Sequence, residues 1–331
     1  MRLTLLVPGL LLPREVLSDT VFDLTAPALS MLLGRARREA ATGDWLPAAF
    51  GLDDLPAAAL RKVGAGGTAN GPLLCLVPVH WEIGRDGILL ADPARLGLDA
   101  GEAASLIGAV QPLFAHWGEL SASAPACWEL QLSRPLELET RPLPDVIGAP
   151  VDPALPGGPD GREWRRLLAE VQTVLHAHPA NQRREDQGSG RPTVNSLWPW
   201  GPGSSPQTVR SDFSVCWSDD PVLAGLCALA DIPCIAPPEQ FRPASGNVLC
   251  RTDTLLGPAR SRDILAWRAA LLALERDWIA PAVKALRKGE CGELRLIGSG
   301  VHELPRHITF SLDRTDLWRF WRRPARLDTL A

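Results

Sequence analysis

The stretch REWRRLLAEVQTVLHAHPANQRRE, residues 162–185, and the following RPTVNSLWPWGPG, residues 191–203, carry most of the specific content of this chain. The first part reads as a helix over residues 162–178. Trp164, Leu167, Leu168, Val171, Val174 and Leu175 fall at helical spacing and form one apolar stripe with polar residues opposite. Pro179 ends it, because the residue before a proline is pushed out of the helical region.

Working outward, residues 3–7 and 73–79 are apolar runs that read as buried strands, and residues 128–132 as another. Residues 22–38 read as a helix, and residues 40–70 as loop-rich. Gly84, Arg85, Asp86 and Gly87 make a turn between the apolar runs 79–83 and 88–91, a hairpin signal. Asp99 with Glu102 three residues on predicts a capping box for a helix reaching Trp117. A second long helix is expected over residues 263–286, kinked by Pro281. Residues 293–297 and 307–312 read as a hairpin, followed by a basic, aromatic tail over residues 316–326 that is expected to dock on the chain, its arginines stacking on its own tryptophans, the alternative being contact with an acidic partner or a membrane surface. Helices alternating with buried strands predict an α/β fold. The Pro- and Gly-rich residues 141–161 are the expected connection between portions 1–140 and 162–331, unless the whole is one continuous domain.

Composition narrows the function. The 331 residues carry a net charge of −4, so no overall basic field exists to hold a nucleic acid. The seven cysteines include no CxxC pair, and reduced, buried thiols in a cytoplasmic protein are expected. The apolar run 3–12 is interrupted by Pro8 and lacks a cleavage-site pattern, which favours a strand over a leader. No apolar run approaches the roughly 18 residues of a membrane span. G-x-S-x-G, G-x-G-x-x-G and Walker loops are absent. Asp219 and Asp220 before Pro221 read as a helix N-terminus more readily than as a cation site.

The candidate ligand site is His178, Asn181, Arg184, Asn195, Trp198, Trp200, Gly201 and Gly203. Arg184 would pair with an anionic group, the Asn amides would hydrogen-bond, and the Trp rings would form walls. A Gly201–Gly203 turn would add backbone N–H donors. The competing reading of the same residues is loop pinning through hydrogen bonds to backbone.

The pattern HPxNxxR…NSLWPWGPG resembles a segment of the archaeal-type cofactor-independent phosphoglycerate mutases, of the alkaline phosphatase superfamily. With FDLTAPAL (residues 22–29) and PVHWEIGRDGILLADP (residues 78–93), the chain is similar over most of its length to a bacterial phosphoglycerate-mutase-like group labelled RpfE-type regulatory proteins. The resemblance implies an alkaline-phosphatase-like sheet with flanking helices, reduced or remodelled. In the mutases it also implies two divalent metals, held by Asp and His with a nucleophilic Ser, one aspartate standing at the first strand's end. Here that strand ends Val7-Pro8-Gly9, no Asp-His dipeptide occurs, and the histidines number six, at 80, 116, 176, 178, 302 and 307. His302 and His307 have no recognisable carboxylate partners. No metal or cofactor is therefore expected. The expected function is a non-catalytic or degenerate mutase-like protein, regulatory in kind, that binds a small anionic ligand or an unidentified protein partner. The alternative is a metal-dependent phosphomutase or phosphatase with unorthodox ligands.

Overall fold

The computed structural model describes residues 1–84, 87–186, 190–301 and 306–329. The chain opens with β1 (Arg2–Pro8), α1 (Arg14–Val21), α2 (Pro27–Arg35), β2 (Arg37–Thr42) and α3 (Trp45–Ala49). Next come α4 (Ala57–Gly64), β3 (Leu73–Val79), β4 (Trp81–Gly84), β5 (Gly87–Leu90), α5 (Ala100–Phe114), β6 (Gly118–Ala124), β7 (Cys127–Leu132), α6 (Gly161–His176), α7 (Pro179–Asp186) and β8 (Ser196–Gly203). The last part holds β9 (Val215–Trp217), α8 (Pro221–Leu229), β10 (Cys234–Ile235), β11 (Asn247–Arg251), α9 (Leu256–Ser261), α10 (Ile264–Leu274), α11 (Ala280–Lys288), β12 (Glu293–Ser299) and β13 (Arg306–Asp313).

Two compact units result: residues 1–53 with 209–331, and residues 54–208. The Pro- and Gly-rich residues 141–161 lie inside the second unit, so the expected connection does not separate the units. The reason is that β1 pairs with strands from the far end of the sequence, which draws both ends of the chain into one sheet.

The first unit is built on a seven-stranded sheet, order β10-β9-β11-β1-β12-β13-β2. The first five of these strands are parallel, and β13 runs against them, pairing antiparallel with both β12 and β2. Leu3, Leu5, Leu6 and Val7 of β1 are all buried, as expected of a parallel strand covered on both faces. Leu32, Trp267, Leu271, Ile279, Leu286 and Phe310 pack with Leu3, Leu5 and Val7. The helix expected over residues 22–38 is shorter. Pro27 stands at its first turn, Ala36 turns extended, and Arg37–Thr42 is recruited as the charged, exposed edge strand β2. No local pattern announces that strand; its partner β13 supplies the hydrogen bonds.

The expected helix over residues 263–286 is interrupted by a π-turn at Glu275–Ile279 between α10 and α11. Pro281 has no N–H to offer the Asp277 carbonyl, and the Phe241 N–H donates to that carbonyl instead, at 2.8 Å. The turn places buried Glu275 under the N-terminus of α2, where it accepts from the N–H groups of Ala28 (2.7 Å) and Leu29 (2.9 Å).

The second unit holds the antiparallel sheet β6-β7-β3-β8 and the β4–β5 hairpin. The expected turn of that hairpin includes Arg85 and Asp86, which lie outside the described residues. Strand β3 is buried on both faces. Leu74 and Leu76 pack with Trp128, Phe114 of α5 and Trp164 of α6, whereas Leu73, Cys75 and Val77 pack with Ala58 and Ala59 of α4 and Trp198 of β8. The α6 stripe is buried at Trp164, Leu167, Leu168, Val171 and Leu175. Both halves of the Asp99–Glu102 capping box are formed.

Glu275→Ala would leave two N–H groups of α2 without an acceptor. We expect a loss of about 1–3 kcal/mol in urea unfolding, with Glu275→Gln, which keeps one acceptor, losing less.

Candidate functional site

The histidine-to-glycine segment folds back on its own backbone. Asn181 is 1% exposed. Its Nδ2 donates to the carbonyls of Leu175 and Val194, both at 2.7 Å, and its Oδ1 accepts from the Val194 N–H at 2.9 Å. One amide thereby ties the end of α6 to the approach to β8. Asn195 does the same to Trp81, accepting from its N–H at 2.7 Å and donating to its carbonyl at 2.9 Å.

Arg184, 4% exposed, takes Glu102 where a ligand anion was expected. Its Nε and Nη2 fork onto the two Glu102 oxygens at 3.0 and 2.7 Å, and Nη1 donates to the Leu96 and Pro192 carbonyls at 2.8 Å each. The Glu102 carboxyl is held below the usual carboxylate range, chiefly by the Arg184 hydrogen bonds.

The remaining candidates are similarly committed. Nδ1 of His178 accepts from the Ala180 N–H at 3.2 Å, and its Nε2 lies 3.4 Å from Ser105 Oγ. Trp198 is fully buried and donates from Nε1 to the Arg141 carbonyl at 3.0 Å. Trp200 forms a wall for Arg61, whose guanidinium lies 5.9 Å from the ring centroid. Gly201 and Gly203 belong to β8 rather than to a free turn. A Cβ on either would stand 2.7 Å from Ala57 or Pro56, so their lack of a side chain lets α4 lie close to the strand. Among the described residues, the side chains of Asn181, Arg184, Asn195 and Trp198 are spent on partners within the chain. A groove of about 780 Å³ between α5 and β6 is lined instead by Ala104, Ile107, Gly108, Ser121 and Ala124.

The first unit offers a different place. The chain leaves β9 through α8 toward β10 and leaves β11 through α9 to α11 toward β12, on the other side of β1. In parallel sheets, ligands bind where the connections diverge, outside the carboxyl ends of the strands. Ser218, Asp219 and Asp220 follow β9 there, and Arg251, Thr252 and Asp253 end β11. Arg251 links them. Its Nη1 lies 3.2 Å from Asp220, and its Nε and Nη2 donate to the two Asp253 oxygens at 3.0 and 3.2 Å. Burial disfavours the Arg251 charge, but Asp220 and Asp253 outweigh that and raise its pKa. The other Asp220 oxygen caps α8, accepting from the Leu223 N–H at 2.8 Å, the capping role the sequence indicated. Arg251 was not singled out from sequence; the visible signal is a charge closing the apolar run Val248–Cys250.

The end of β1 is closed by backbone. Gly9 has φ +79°, and a Cβ there would lie 2.9 Å from the Leu255 carbonyl. Trp267 Nε1 donates to the Gly9 carbonyl at 2.8 Å. Among the described residues, no group of three or more His, Cys, Asp or Glu is placed to hold a metal ion. His307 lies in β13 with Nδ1 3.1 Å from the Gly43 carbonyl, and His302 lies outside the described residues. The described residues do not fit a pair of divalent cations.

No family model matches the chain. The 2,3-bisphosphoglycerate-independent phosphoglycerate mutase of Methanosarcina barkeri is 38% identical over 71 residues, 22% of this chain. The corresponding proteins of Methanosarcina mazei and Methanothrix thermoacetophila are 37% identical over 71 residues and 33% over 69. The chain spans 17% of the length of these curated relatives. Among solved structures, the PH0037 protein of Pyrococcus horikoshii covers 99% of this chain and 91% of its own, with TM-score 0.50 and 12% identity. A cofactor-independent phosphoglycerate mutase of Thermoplasma acidophilum covers 100% and 95%, with TM-score 0.47 and 16% identity. The fold is a mixed α/β fold with a central sheet and flanking helices, similar to that of the PH0037 protein. The sequence similarity to these mutases is confined to about 70 residues of the chain.

Asn181→Ala would unpair the buried N–H and carbonyl of Val194 and take one of the donors from the Leu175 carbonyl, which keeps the His178 N–H; we expect a loss of about 2–4 kcal/mol in chemical denaturation. The ionised Glu102 is favoured by folding. Its contribution is complete above the unfolded carboxylate pKa near about 4.3 and disappears as pH falls through the lower folded value. Thermal melts below about pH 4 should therefore lose stability, and Glu102→Gln should flatten that acid limb.

Proposed function

We propose that this chain is a non-catalytic, mutase-like protein that acts by binding, regulatory in kind, in the cytoplasm. The observation that carries the reading is Arg251. Phosphoryl-transfer chemistry of the type the resemblance implies needs a cation able to accept oxygen ligands at the carboxyl edge of the sheet. At that edge Asp220 and Asp253 are already paired with a guanidinium, which has no coordination position to offer. The neighbouring strand end, where the resemblance implies an aspartate, is Gly9, packed against the Leu255 backbone. A scaffold arranged this way keeps the shape of a mutase and is suited to holding a small anionic ligand or a protein partner.

Purified protein supplied with manganese or magnesium is expected to show no mutase or phosphatase turnover, and metal analysis to find less than one ion per chain. Stoichiometric metal accompanied by turnover would overturn the proposal in favour of an enzyme with unorthodox ligands. Arg251→Ala supplies a second test. It leaves Asp220 and Asp253 facing each other without a counter-cation, so manganese should raise the melting temperature of the variant by a few degrees and leave the parent unchanged. Equal manganese stabilisation of the parent would mean that Arg251 does not fill the cation's role.

A further inference from the structure

Residues 316–326 are fastened to the first unit by backbone and by buried anchors. Asp316 is fully buried and pairs with Arg37 at 3.2 Å and Arg319 at 3.0 Å. The Leu317 carbonyl accepts from Arg35 at 2.6 Å, and the Ala325 N–H donates to the Ser30 carbonyl at 2.9 Å. Gly34 lets the Arg323 carbonyl lie directly on α2, and Leu327 enters the core.

Between these anchors the side chains point the other way. Trp318, Phe320 and Trp321 are 74%, 77% and 68% exposed. Phe320 and Trp321 stand edge to face, with ring centroids 5.4 Å apart. Among the described residues, the guanidiniums of Arg322 and Arg323 pair with no carboxylate and stack on no ring. The expected docking is therefore met by the backbone and not by the rings. Folding has pinned a strap and left its three largest apolar side chains mostly in water.

The chemistry of the patch selects its partner. The segment carries four arginines against one aspartate, in a chain whose net charge is −4, so the positive field is local. Indole and phenyl rings flanked by arginines match the headgroup level of a bilayer, where rings enter the apolar boundary and guanidiniums fork onto phosphates. No helix among the described residues is long and apolar enough to cross a membrane, so contact would be from one side. We propose that this strap seats the chain on an anionic lipid surface through Trp318, Phe320 and Trp321, with Arg322 and Arg323 on lipid phosphates.

Co-sedimentation of the full chain with phosphatidylcholine vesicles, with and without about one-third phosphatidylglycerol, tests it. The protein should sediment with the anionic vesicles, less so as salt rises, and should stay in solution with the neutral ones. Trp318→Ala/Phe320→Ala/Trp321→Ala and Arg322→Glu/Arg323→Glu should each weaken partitioning by about tenfold or more, with melting temperatures unchanged because the altered side chains are exposed. Equal sedimentation with both vesicle types, or a variant that binds as well as the parent, would overturn the proposal. Binding to polyglutamate but not to vesicles would overturn it in favour of an acidic protein partner.

Discussion

Strand β1 can satisfy its backbone on both sides only by lying between β11 and β12, and the remainder of the first unit follows from that constraint. A strand reading Leu-Thr-Leu-Leu-Val is too apolar for an edge, so it sits in the middle of a parallel sheet with helices over both faces. Its partners come from residues 247–251 and 293–299, which commits the C-terminal part of the chain to the same unit. Residues 54–208 then form a unit of their own, with a separate antiparallel sheet and separate cores on its two faces. The topology also creates the divergence of connections between β9 and β11.

The two charged centres use the same device for different ends. At Arg184 a guanidinium closes a loop: it holds Glu102 by a fork and two carbonyls by its remaining arm, so the segment most like the mutases becomes a rigid brace. At Arg251 a guanidinium joins two strand ends by neutralising Asp220 and Asp253. Buried or half-buried carboxylates need a counter-charge, and in both places the chain supplies it from a side chain. The exposed strap on α2 is the opposite case: Arg322 and Arg323 have no carboxylate partner among the described residues, and three rings stand mostly in water.

Several elements were legible because their signals are local. The α6 stripe, the Asp99–Glu102 box and the buried runs of β1 and β3 each declare themselves within a few residues. The elements misread or left unread depend on partners outside their own residues. The Gly-Glu-Leu-Ser-Ala-Ser-Ala of β6 has almost no apolar alternation, and β7 alone makes it a strand. Residues 37–42 read as helix end and loop until β13 pairs with them. Gly201 and Gly203 look like turn residues, yet their smallness serves the close approach of α4.

The candidate site divides in the same way. The sequence by itself determined which polar residues are concentrated between His178 and Gly203, the fold class, and the absence of an aspartate at the end of the first strand. Only the tertiary structure decided what those polar groups hold. Asn181, Arg184 and Asn195 have the donors and acceptors for a ligand or for backbone, and the choice is made by whichever carbonyls, N–H groups and carboxylate the fold brings within 3 Å. Arg251 and Asp220 become partners only because β11 and β9 are neighbours in the sheet, and no spacing along the chain encodes that contact.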